Sequence, residues 1–356
     1  MQEISTIGII GGGQLARMIC FAAHKMGFKC VVFSDIKNAP ASFVTNQTII
    51  AAYDDKKALE KFAKMVDVVT LEFENIPFEA AKFLENKVKF FPKAEILKIT
   101  QNRILEKSFL RKIKTKTTDF VEIKSQDELI SNLKKFKKAV LKTTVMGYDG
   151  KGQAVLKNED DAKKAWQKLK NQQLILEKFC PFDSEISVMV ARKKDGKIST
   201  FAPLTNIHKN GILDKSIYPA KISDKLKIKA QNLAKKIAKE IDLIGILAIE
   251  MFVIGDEILV NEMAPRPHNS GHFSMDACTT SQFEQLIRAI CNLPFGSTKF
   301  HSKGYMQNLI GNDIKLIDKF AKQGNAKIHL YDKKEVKAGR KMGHINILNL
   351  PLVNLV

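Results

Sequence analysis

Arginine is scarce in this chain of 356 residues: only seven of the 58 basic residues are arginine, and the rest are lysine. A chain that spends lysine on general surface charge keeps arginine where its planar fork is needed. Arg17, Arg103, Arg266 and Arg340 each lie in or beside a stretch that stands out for other reasons. Cysteine is sparse too, with five scattered residues (Cys20, Cys30, Cys180, Cys278, Cys291) and no C-x-x-C pair. That pattern speaks against structural zinc and a disulfide framework, and for a reducing compartment. No apolar run exceeds strand length, so no membrane span or membrane partner is expected. "MQEISTIGIIGGG" enters a strand directly, without the charged-then-apolar layout of a secretion signal, and a cytoplasmic location is expected.

Acidic residues are few as well, 38 against 58 basic, for a net charge of +20. Such a balance suits a nucleic-acid binder or a lysine-rich surface with anionic small substrates. The lysines are spread along amphipathic stretches such as "KISDKLKIKAQNLAKK", where Ile222, Leu226, Leu233, Ile237 and Ile241 share a face. That is the pattern of a solvated helix, and no nucleic-acid partner is expected.

With 45% hydrophobic residues and no low-complexity tract, the chain has material for two or three domains. "STIGII", the turn "GGGQ", the helical "LARMICFAAHKMG" and the strand "KCVVFSD" read as β-α-β. "VDVVTLEF" is a further buried strand, and residues 1–100 predict a doubly wound parallel sheet. From 101 to about 295, hairpins and a long helix near 221–241 predict an antiparallel α+β domain. Residues 296–356 predict a small β-rich unit with two strands, "AKIHLYD" and "GHINIL".

Gly11, Gly13 and Ala16 fit the dinucleotide fingerprint, with Asp35 downstream. A turn of that kind at a helix N-terminus suits any phosphate, so an anion or substrate contact is expected ahead of NAD itself. A second loop, "GYDGKGQ", lies between two strands and lacks the Walker frame. Its three glycines predict either a mobile turn or a lid over nucleotide phosphates. Lys142, in the strand before it, needs a buried partner, either a phosphate or a carboxylate.

The densest signal is "GILAIEMFVIGDEILVNEMAPRPHNSGH", from Gly245 to His272. With Asp256 at the centre of the turn, Glu250 and Glu262 stand directly opposite each other on one face. Like charges so placed repel. A shared proton or a bridging divalent cation offsets that, and carboxylate oxygens suit Mg²⁺ holding phosphates. Arg266, His268, Asn269, Ser270 and His272 follow at once, a density that favours a substrate site.

Together "IGIIGGGQLARM", "VTLEFENIP", "GYDGKGQ", "ILEKF", "NEMAPRPHNSGH" and "GRKMGH" resemble the ATP-grasp superfamily. Within it they are most similar to the N5-carboxyaminoimidazole ribonucleotide synthases of purine biosynthesis. The resemblance spans residues 7 to 344. It implies a pre-ATP-grasp domain, a central ATP-grasp domain with ATP between two subdomains, and a small C-terminal domain. It implies a ligase that carboxylates 5-aminoimidazole ribonucleotide with bicarbonate and ATP, through carboxyphosphate, as a homodimer. Mg²⁺, or Mn²⁺ in its place, would be held by Glu250 and Glu262. ATP would meet Arg103, Lys142 and the lid from Gly147 through Tyr148, Asp149, Gly150, Lys151 and Gly152 to Gln153. Its adenosine would meet Glu177, Lys178, Phe179, Cys180, Glu185 and His208, with Asn261 beside Glu262. The ribonucleotide would be held by Gln14, Leu15, Glu74, Tyr148, Asp149, Arg266, His268, Asn269 and His272, and its phosphate by Lys333, Arg340 and Lys341. Arg266, His268 and Lys142 would be the catalytic groups.

Two departures from the family pattern stand out. Met146 replaces a second glycine before Gly147, and little chain follows "GHINIL". A formate-using ligase acting on glycinamide ribonucleotide would share the scaffold, but "PRPHNSGH" favours the aminoimidazole substrate. An NAD-dependent oxidoreductase would leave Glu250, Glu262 and "GYDGKGQ" without a role.

Overall fold

The computed structural model describes residues 4–145 and 152–351. Three sheets organise the chain. The first is wholly parallel, in the order Gln47–Ile50, Lys29–Ser34, Thr6–Ile10, Val68–Leu71, Lys89–Phe90. Its strands are near-continuous apolar runs because helices cover both faces. Strand order reverses beside Thr6–Ile10, so the loops after Ile10 and Leu71 part there and leave a crevice.

The second sheet is antiparallel, in the order Phe120–Ile123, Leu174–Lys178, Ala139–Thr143, Gln153–Leu156. Helices Gln126–Phe136 and Glu159–Leu169 bury Leu129, Leu133, Ala162 and Ala165 in the core of this unit. The third sheet has nine strands, all pairs antiparallel. Its edge is the hairpin of Gly245–Ile254 and Glu257–Ala264, paired to Ser184–Arg192. The helix Asp224–Glu240 starts at a Ser223 cap and buries Leu226, Ala230, Ala234 and Ile237 in the core beneath this sheet. Its lysines face outward, as the pattern predicts.

The last stretch contributes three strands rather than two. Ser302–Ile310 pairs with Ile212–Tyr218 on one side and with Lys341–Pro351 on the other, and Ala326–Leu330 closes the edge. "SKGYMQNLI" escapes notice because its inward positions include Gly304 and Asn308. Asn308 is buried because its Nδ2 donates to the Leu213 carbonyl at 2.7 Å.

Candidate active site

The hairpin turn is the dipeptide Gly255-Asp256, with Gly255 at φ +53° and Ile254 facing Glu257. It is therefore one residue shorter than the turn centred on Asp256. The difference is repaired at Asn261, an extra residue between the Met251–Val260 and Glu250–Glu262 pairs. Glu250 thus faces Glu262 as expected, but the register depends on a bulge.

The two carboxylates differ in their company. Glu262 accepts from Arg103 Nη1 at 3.1 Å. Burial raises its pKa, yet Arg103 and Lys142 hold it below the ordinary value. Glu250 is pushed well above the carboxylate range by burial first, then by Glu262 and Glu185. Glu185, His208 and Glu250 bring one ligating atom each within 4.8 Å of one another. His208 Nδ1 lies 2.9 Å from Glu185 Oε2, and His268 Nδ1 lies 3.7 Å from Glu250 Oε1. A divalent cation fits this arrangement: two carboxylates and an imidazole converge, and a cation would offset the repulsion that raises the Glu250 pKa.

A buried ionic network backs the hairpin. Glu177 Oε2 is 3.1 Å from Lys142 Nζ and 3.3 Å from Lys107 Nζ. Burial opposes its charge, but Lys142, Lys107 and Arg103 bring its pKa down to about 2. The partner of Lys142 is therefore a carboxylate of the protein itself. Lys107 is fully buried and also donates to Thr117 Oγ1, Thr118 Oγ1 and the Asn261 carbonyl. Its neighbour Glu106 accepts from the Met263 N–H at 2.6 Å and is pushed up to about 8, by burial and then by Glu262.

The sequence reading missed Glu106 and Lys107, since a Glu-Lys pair on a helix ordinarily faces water. One signal was available: Arg103, Glu106, Lys107 and Leu110 fall on one face at helical spacing, a charged stripe where an apolar one belongs. The helix Arg103–Lys112 is started by Asn102, whose Oδ1 accepts from Ile104 and Leu105.

The parallel sheet supplies the opposite wall. The glycine loop at its crevice does not present an empty anion site. Glu72 Oε1 accepts from the Gly13 N–H at 2.8 Å. A Cβ on Gly13 would lie 2.5 Å from that oxygen, and one on Gly11 2.4 Å from Glu72 Cγ. The fingerprint glycines make room for the protein's own Glu72, a carboxyl whose pKa burial raises, and the Gly13 N–H is bonded to it. Two residues on, Glu74 receives the Arg266 fork, Nη2 to Oε1 at 2.8 Å and Nε to Oε2. Burial works against this carboxylate, but Arg266 holds it below its ordinary range. This pair joins the crevice to the hairpin across 192 residues.

His268 Nδ1 sits 2.8 Å from Ser270 Oγ, and burial followed by Arg266 depresses its pKa to about 3. It is a neutral imidazole at pH 7. Asn269 is buried, and both polar atoms of its side chain lack a partner among the described residues. His272 is buried with its Nδ1 3.0 Å from Gln282 Nε2.

Lys341 lies close enough to act electrostatically on Glu250 and His268, and Lys333 Nζ donates to its carbonyl at 2.8 Å. Arg340 is half-buried and donates to the Glu335 carbonyl at 3.1 Å. Gln14 opens the first helix half-buried, while the Leu15 side chain lies in the core. On the far sheet, Lys178 and Gln153 are exposed and Cys180 is half-buried. Phe179 lies under Lys138, whose Nζ is 3.4 Å from the ring centroid. Gly152 has φ +69° against Thr143. Arg17 donates to the Pro40 carbonyl at 3.1 Å and lies 3.8 Å from Asp332. Gly147, Tyr148, Asp149, Gly150 and Lys151 lie outside the described residues.

Comparison with known proteins places this geometry. Residues 4–101 match a ribonucleotide synthetase preATP-grasp domain, 108–283 an ATP-grasp domain, and 304–351 a phosphoribosylaminoimidazole carboxylase C-terminal domain. The N5-carboxyaminoimidazole ribonucleotide synthase of Bacillus subtilis (strain 168) is 44% identical over 350 residues, 98% of this chain and 92% of that protein. The ADP complex of an N5-carboxyaminoimidazole ribonucleotide synthetase matches with a TM-score of 0.94 at 45% identity, covering 97% of this chain and 92% of the other. An N5-carboxyaminoimidazole synthase from Aspergillus clavatus, solved with ADP and 5-aminoimidazole ribonucleotide, matches at 0.93 and 30% identity, covering 98% and 95%. With likeness of this extent over nearly its whole length, the chain belongs to the N5-carboxyaminoimidazole ribonucleotide synthase family of ATP-grasp enzymes.

Proposed function

We propose that this chain carboxylates 5-aminoimidazole ribonucleotide with bicarbonate and ATP, giving N5-carboxyaminoimidazole ribonucleotide, ADP and phosphate, in purine biosynthesis. The observation that carries this reading is the Glu250–Glu262 pair, set between the lysine network and the Arg266–His268 segment. Bicarbonate oxygen attacks the γ-phosphorus, ADP leaves, and carboxyphosphate forms. Carboxyphosphate breaks to CO₂ and phosphate, and the exocyclic amine of the ribonucleotide forms the new C–N bond and loses a proton.

Phosphoryl transfer asks mostly for charge and position. Arg103 and Lys142 are already drawn to the site by Glu262 and Glu177, so they need no reorganisation to meet phosphate charge. Mg²⁺ held by Glu250 and Glu262 supplies charge neutralisation at the phosphates when bound. Glu185 and His208 flank the nucleotide on the hairpin side. Arg266 is fixed by Glu74, so the crevice and the hairpin present one rigid wall to the ribonucleotide. Neutral His268 is able to orient the attacking amine by a hydrogen bond, its depressed pKa keeping the ring uncharged. Asn269, His272, Lys333, Arg340 and Lys341 complete the ribonucleotide pocket. The assembly proposed is a homodimer and the location cytoplasmic. No helix among the described residues is long and apolar enough to cross a membrane.

Phosphate release from ATP, with bicarbonate and aminoimidazole ribonucleotide left out in turn, tests the reading. Mg²⁺-dependent release stimulated by the ribonucleotide is expected. Release indifferent to the ribonucleotide would overturn the substrate.

A further inference from the structure

Behind the Arg266–His272 segment lies a column of three imidazoles, of which the chemistry above gives a task only to His272. His329 and His344 face each other across adjacent strands. Their rings stack at 4.5 Å and 10°, and His272 follows at 4.6 Å from His344. His344 and His272 are at most 1% exposed. Each ring is also tied at an edge. His329 Nε2 lies 2.7 Å from Asp276 Oδ2, and Tyr331 Oη lies 2.7 Å from His344 Nδ1.

Gln282 ties the third ring. Its Oε1 accepts the His268 N–H at 2.9 Å, which fixes the amide, so its Nε2 donates to His272 Nδ1. His272 therefore carries its proton on Nε2. The same Nε2 donates to the His268 carbonyl at 2.8 Å. One continuous set of contacts thus runs from the strand Lys341–Pro351 to the backbone of His268.

Apolar residues would fill this space without the desolvation cost of three imidazoles. Rings bound at their edges do something an apolar stack does not: they fix rotation as well as separation. His344 is three residues from Lys341 on the same strand. We propose that His344 is a positioning residue, holding the Lys341 strand and the Arg266–His272 segment in one register so that both close on the same ribonucleotide. Burial foremost lowers the pKa of His272 and His344, which leaves two neutral rings able to stack without repulsion.

The proposal rests on the function proposed above, and its test separates the two. His344→Phe keeps the ring and volume but loses the bond to Tyr331, while Tyr331→Phe removes only the hydroxyl. In His344→Phe the KM for aminoimidazole ribonucleotide should rise roughly tenfold, with kcat and the KM for ATP within about twofold of the parent. Tyr331→Phe should move the same constant less. In the ligand-free protein, histidine ¹⁵N spectra should show His272 as the Nε2–H tautomer, and His344→Phe should blur that signal into a mixture.

An unchanged ribonucleotide KM, or equal rises for both substrates, overturns the positioning role. A parent enzyme with no ribonucleotide-stimulated turnover overturns the function instead. The column then stands or falls on whether His344→Phe alters the His272 tautomer.

Discussion

Two acid-rich regions face each other across this site, and they handle negative charge differently. In the crevice of the parallel sheet, Glu72 is met by the Gly13 N–H and Glu74 by Arg266. On the hairpin, Glu262 has Arg103, but Glu250 has Glu262 and Glu185 for neighbours and a raised pKa. In the crevice Arg266 compensates Glu74, while Glu72, despite the Gly13 N–H, still has its pKa raised by burial. The hairpin holds Glu250 beside two other carboxylates, and in the proposed function a bound cation would offset that repulsion. A glycine loop can thus seat one of the protein's own side chains, while the facing pair of like charges is where the proposed chemistry is centred.

The comparison breaks most sharply at the hairpin. Glu262→Gln should lower Mg²⁺-dependent, ribonucleotide-stimulated phosphate release by about 10²–10³-fold. Full activity in that variant would sink the metal assignment. Glu74→Gln attacks the compensated side, leaving Arg266 buried beside a neutral amide. Loss of about 3 kcal/mol of stability by urea denaturation is expected, together with weaker use of the ribonucleotide. If stability held, the crevice would not be the rigid wall described.

Gly13→Ala drives a methyl into Glu72 and should cost about 1–3 kcal/mol without conferring or removing any affinity for NAD. Measurable NAD binding by the parent protein, lost in the variant, would restore the dinucleotide reading. Glu106 sharpens the comparison through pH. Its folded pKa of about 8 stands above the unfolded value of 4.5, so the folded state binds more protons between those values. Its contribution is present below pH 4.5 and is lost as pH rises towards 8. In metal-free protein, Glu106→Gln should therefore flatten the decline in melting temperature over that window. The smallest effect is expected from Arg340→Ala, a several-fold rise in the KM for the ribonucleotide alone.

Much of this was legible in the chain. The parallel sheet followed from "STIGII", "KCVVFSD" and "VDVVTLEF", whose unbroken apolar character only a doubly covered sheet explains. The glutamate pair was reached from strand alternation about a turn one residue too long, an error that the bulge at Asn261 cancels. The bulge at Asn261 was not legible, because one extra residue leaves no mark on an alternating pattern whose polar members continue past it. Glu106 and Lys107 were hidden because burial of a charged pair depends on partners such as Glu177 and Met263, far away in the sequence.

The sequence alone determined most of the elements, that two acids lie on facing strands of one hairpin, and to which family the motifs point, since period and spacing are local properties of a chain; the bulge that sets those acids opposite each other was decided by the fold. Tertiary structure alone decided which of those acids is neutralised. It seated Glu72 in the glycine loop and drew Arg266 onto Glu74, and it stacked His329, His344 and His272. Charge compensation depends on distance in space, and residues 192 apart in the chain become neighbours only once the sheets have packed.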